Sequence, residues 1–171
     1  MNKNMVKKIA YYGVFAAVAI IIAWIERQFP LPIPIPGVKL GLANVVVVII
    51  LYAFNPRWAI SISVLRVILV SLLFGGPSAA IYALVGAITA FFAMYLVKKM
   101  KIFGIIGVSV AGGVVHGVAQ IFTGIILLET PALIFNTPFL IITGVITGVL
   151  VGYTAGFALR NIKVIQRVGR L

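Results

Sequence analysis

The chain has 171 residues, 63% of them hydrophobic and 9% charged, with a mean hydropathy of +1.24 and a formal net charge of +12; such a balance excludes water as the main solvent of the fold. It has no cysteine and only two carboxylates, Glu26 and Glu129, which excludes disulfides, thiolate metal sites, paired-acid catalysis and carboxylate metal cages. The fourteen Lys and Arg residues punctuate the ends of apolar runs, so they read as topological signals, and no nucleic-acid partner, metal or cofactor is expected.

A hydrocarbon core about 30 Å thick takes about 20 helical residues. Breaks at Pro, Gly and charge clusters divide the chain into runs of that size. The expected fold is all-α: one integral membrane domain over 1–171, a bundle of six transmembrane helices near 7–28, 39–54, 57–74, 78–98, 103–128 and 136–160.

The first run carries Ala17-Val18-Ala19, which resembles a signal-peptidase site. Its apolar stretch continues through Ile25, however, and Trp24 suits an interfacial anchor, so it reads as a span. Gly13, Ala16, Ala17, Ala19 and Ala23 form a broad small-residue face that either packs inside the bundle or docks another membrane subunit.

Next, Pro30, Pro32, Pro34 and Pro36 alternate with Leu31, Ile33 and Ile35 in an extended, apolar strap that cannot be helical. It either rests on lipid or closes over a cavity. Lys39 then either snorkels to the interface or brings its charge to the mouth of the second helix. Asn44, about one turn further in, must cap a neighbouring backbone or line a polar cavity.

Phe54-Asn55-Pro56-Arg57 separates the second and third runs, since Pro56 disfavours helix at Asn55; one long bent helix is the rival reading. Arg66 falls mid-span, where an unpaired guanidinium costs about 2.5–3.5 kcal/mol. It needs a structural partner, a hydrated cavity or an anionic ligand. Phe74-Gly75-Gly76-Pro77 leads into the fourth run, with Ala79, Ala83 and Ala87 on one stripe.

In the fifth run His116 and Gln120 are four residues apart and share a face, as structural hydrogen bonders or as cavity lining. Gly113 and Gly117 lie on the same helix. The sixth run has Gly144, Gly148, Gly152 and Gly156 in register every four residues, a stripe on which another helix backbone can approach closely.

With the N-terminus inside, eleven of the fourteen cations fall in cytoplasmic segments: Lys3, Lys7, Lys8, Arg57, Lys98, Lys99, Lys101, Arg160, Lys163, Arg167 and Arg170. Both termini are therefore expected in the cytoplasm, with the chain in the cell membrane. No Gly-x-x-x-x-Gly-Lys-Ser/Thr element is present to bind nucleotide.

Three stretches carry a resemblance: Pro34-Ile35-Pro36-Gly37-Val38-Lys39-Leu40-Gly41-Leu42-Ala43-Asn44, then Leu73-Phe74-Gly75-Gly76-Pro77, then Gly107-Val108-Ser109-Val110-Ala111-Gly112-Gly113-Val114-Val115-His116 with Gln120. Over nearly the whole chain they look like the bacterial membrane family labelled heptaprenyl diphosphate synthase component I, also called the Gx transporter family. That family tends to have His-Asn before its Gln, whereas Gly117 follows His116 here. In size and topology it resembles the six-helix substrate-binding subunits of energy-coupling factor vitamin transporters. The resemblance implies a pocket for a small-molecule ligand lined by Lys39, Asn44, Arg66, His116 and Gln120. It also implies a docking face at Gly13, Ala17 and Ala23 for a transmembrane coupling protein driven by ATPase subunits. Prenyl transfer from diphosphates generally uses aspartate-rich, magnesium-holding segments, and the chain has no aspartate. It is not expected to be an enzyme; a non-catalytic accessory subunit of isoprenoid metabolism is the alternative.

Overall fold

A computed structural model describes residues 3–29 and 41–161. Lys39 and most of the proline strap, 30–37, lie outside the described residues. Among those described, the chain forms six α-helices: α1 (Lys3–Arg27), α2 (Asn44–Ala53), α3 (Pro56–Phe74), α4 (Pro77–Met100), α5 (Ile105–Leu128) and α6 (Thr137–Asn161), the last preceded by a 3-10 turn at Pro131–Asn136. Every span but α2 has the length and apolarity to cross a bilayer, which makes this a multi-pass helical membrane protein.

The second run differs from its expectation as a span. It begins at Asn44 because Gly41 takes a positive φ of 83° and a turn closes from Asn44 N–H to Gly41 C=O. Ten residues rise only about 15 Å, half the hydrocarbon thickness. In compensation α2 is wrapped by its neighbours: Asn44 to Leu51 are all buried, and Val45–Leu51 anchor the main apolar core. The rival long bent helix does not form. Phe54 leaves helical geometry, and extended Asn55 caps α3 through its side-chain oxygen, which accepts from Arg57 N–H at 3.0 Å.

An aromatic cluster fixes this corner to α1. Tyr12 packs edge-on to Trp58 with centroids 5.2 Å apart, Phe15 meets Phe54 at 5.6 Å, and Phe54 stacks on Trp58. Lys98, near the end of α4, donates to Leu51 C=O at 2.5 Å and lies over the Tyr52 ring. The start of α1, the α2–α3 corner, the end of α4, the start of α5 and the end of α6 therefore share one end of the bundle.

α5 and α6 are antiparallel and approach to backbone contact. A Cβ on Gly144 would lie 2.8 Å from Gly113 C=O, on Gly148 2.5 Å from Val110 Cα, and on Gly152 2.6 Å from Ile106 Cα. Three glycines of the α6 stripe thus serve internal packing, where van der Waals contact replaces the hydrophobic drive that lipid does not supply. Ala83 and Ala87 of α4 likewise pack on Val67 of α3.

Candidate functional site

Inside a largely apolar bundle, α1, α3, α4, α5 and the turn before α2 line a polar cavity. Arg66 and Ser71 of α3, Glu26 of α1, and His116 and Gln120 of α5 supply its polar wall; Ala23, Val67, Val70 and Ala83 complete it with apolar surface. Helical spacing explains the placement. Arg66 is next to Val67 and one turn from Val70 on the buried side of α3, and the i, i+4 spacing of His116 and Gln120 puts both on the inward face of α5.

All four principal polar residues are removed from the surface: Arg66 is 5% exposed, Glu26 and His116 4%, Gln120 0%. Glu26 accepts a hydrogen bond from the backbone N–H of Gly41 and shares the cavity wall with Arg66. Arg66 Nε has no hydrogen-bond partner among the described residues. The open space between these groups is about 20 Å³, room for about one water molecule.

Glycines make the room for the larger groups. A Cβ on Gly86 of α4 would fall 2.9 Å from His116 Cε1 and 3.1 Å from Gln120 Cγ, so only the bare backbone lets α4 close over both side chains. At Gly41 a Cβ would meet Asn44 Nδ2 at 3.0 Å and His116 Cδ2 at 3.5 Å. Asn44 is buried at the first turn of α2, beside the cavity and behind Gly41.

Arg66, His116 and Gln120 are thus brought together, and Asn44 is adjacent. Lys39 lies outside the described residues. Glu26, Gly41 and Gly86 were not among the site residues read from the sequence. For Glu26 the signal was present, as one of two carboxylates near an arginine in need of a partner; for the glycines nothing in their spacing points to His116.

The three residues assigned to docking separate. Gly13 and Ala17 are exposed, with open space around Gly13. Ala23 corrects its assignment: it is 4% exposed and lines the cavity. The reason is the helical period. Ala16, Ala19, Ala23 and Glu26 form the inward stripe of α1, and Gly13 and Ala17 fall on its other side.

Fold and site together define a multi-pass α-helical membrane protein that encloses a polar cluster within its bundle. No curated protein and no solved structure matches the chain. A family model does, over residues 15–158, and the chain belongs to that family, heptaprenyl diphosphate synthase component I.

Proposed function

We propose that the protein is a membrane-embedded substrate-binding subunit for uptake of a small anionic or amphipathic molecule. In this reading it resembles the substrate-binding subunits of energy-coupling factor transporters and works with a coupling protein and ATPase subunits. Its basic end faces the cytoplasm with both termini, as the distribution of Lys and Arg supports. The observation that carries the reading is the gathering of Arg66, Glu26, His116 and Gln120 around one cavity. Ionisable groups inside a membrane domain are costly, and they mark ligand or ion sites. Arg66 is the anion-binding group, and His116, Gln120 and Asn44 orient the ligand; Lys39 belongs to this set through the sequence resemblance alone. A water-sized cavity must widen to admit a solute. α1 is the wall that yields, being the least buried of the spans, and its exposed Gly13 and Ala17 form the docking face.

The test is mass spectrometry of small molecules that copurify in mild detergent with the wild type and with Arg66→Leu. An anionic molecule should be held by the wild type and lost from a folded Arg66→Leu protein. Absence of any bound molecule, together with no association with a coupling protein, overturns the reading.

A second reading is favoured by the family description, since a component I implies a partner component. Here the chain is a non-catalytic membrane subunit of prenyl diphosphate metabolism, consistent with its lack of aspartate. Stable association with a soluble prenyl synthase, and a change in product chain length on its removal, would select this reading over transport.

A further inference from the structure

The close contact of α5 and α6 ends abruptly near the basic end of the bundle. A Cβ on Gly152 would be 2.6 Å from the Ile106 backbone, yet one turn later a Cβ on Gly156 would find its nearest neighbour, Ile105 Cδ1, only at 4.0 Å. α5 begins at Ile105, so the seam runs out there and Gly156 lies past the last residue that α5 can set against it. Beside it is a groove of about 700 Å³ walled by Ile105, Ile106, Tyr153 and Phe157, with Arg160 and Asn161 at its mouth. That volume lies within the roughly 300–1,000 Å³ range of small-molecule sites, and the Tyr153 and Phe157 rings are exposed, so the groove opens sideways toward lipid.

Charge selects the occupant. Arg160 shares this end of the bundle with Lys98, Lys99 and Lys101 at the close of α4 and Arg57 at the start of α3. The chain's two acidic side chains are elsewhere: Glu26 lines the polar cavity, and Glu129 follows the far end of α5. A greasy groove with a cationic mouth and no acidic side chain beside it complements a molecule with an anionic head and a hydrocarbon tail. We infer that the groove binds one anionic phospholipid of the surrounding bilayer. The phosphate sits against Arg160, and an acyl chain runs along Gly156 between Ile105 and Phe157.

Native mass spectrometry of the full chain, in detergent mixed with either phosphatidylglycerol or phosphatidylcholine, tests this. The wild type should retain one phosphatidylglycerol in preference to phosphatidylcholine. Arg160→Gln should weaken that retention about fivefold, the effect of about one cation near an anionic headgroup. Gly156→Leu, whose Cβ would meet nothing closer than Ile105 Cδ1 at 4.0 Å, should reduce retention of both lipids while the circular-dichroism melt stays that of the wild type. Equal retention of the two lipids by the wild type overturns the inference. So does a phosphatidylglycerol preference unchanged in both variants, or a lipid-free dimer abolished by Gly156→Leu, which would give the groove to a second copy of the chain.

Discussion

The Glu26 carboxylate, at the end of α1, accepts the backbone N–H of Gly41, fifteen residues further along the chain. This contact ties the base of the segment between α1 and α2 to the wall of the polar cavity, where both residues stand. A hydrogen bond to a charged group contributes about 1.5–3 kcal/mol. Glu26→Ala is therefore expected to lower stability by about that amount, and Glu26→Gln, which keeps an acceptor oxygen, by less. Thermal unfolding in a fixed detergent checks the order; equal losses would mean that the acceptor is not what matters.

The α5–α6 seam yields a paired prediction. Gly148→Val forces a side chain onto the Val110 backbone, 2.5 Å from its Cα, and should cost at least about 1–3 kcal/mol, the usual range for overpacking. Gly156→Ala meets nothing closer than 4.0 Å and should stay within about 0.5 kcal/mol of wild type. Unfolding midpoints of the two variants provide the comparison.

Gly86 controls the site without touching a ligand. Its replacement by Ala pushes on His116 and Gln120, whose atoms would lie 2.9 and 3.1 Å from the new carbon. Displacing them toward the cavity should weaken retention of the copurified molecule by about tenfold, a loss of about 1.4 kcal/mol. Ligand occupancy by mass spectrometry measures this; full occupancy in a folded Gly86→Ala protein would remove His116 and Gln120 from the binding wall.

Lys98 caps the carbonyl end of α2 through Leu51 and covers the Tyr52 ring at 4.7 Å from its centroid. Lys98→Met keeps most of the apolar stem and removes the charge. It should destabilise by about 1–2 kcal/mol, from the lost hydrogen bond and cation–π contact, with faster hydrogen exchange at the end of α2 as the local signature.

Orientation is testable because the chain has no cysteine of its own. A thiol at Lys101→Cys should react with a membrane-impermeant reagent only after the cytoplasmic face is opened, and one at Thr130→Cys in intact cells. The reverse pattern would invert the topology.

Much of the architecture is legible along the chain, because bilayer thickness, the breakers at Pro56, Gly76 and Pro77 and the cations Lys98, Lys99 and Lys101 act locally. The i, i+4 spacing of His116 and Gln120, the glycine ladder of the sixth run and the need of Arg66 for company are also local facts. What the order of residues left open was direction. In a chain this apolar, the contrast between greasy and polar faces that orients a helix in water is nearly absent, so periodicity says which residues share a face but not which face turns inward. Packing between helices decided that. It turned Ala23 and Glu26 toward Arg66, set Gly86 against His116, buried the short α2 among its neighbours, and brought α5 and α6 to backbone contact. Each of these outcomes depends on the register of one helix against another, a quantity that no single segment contains.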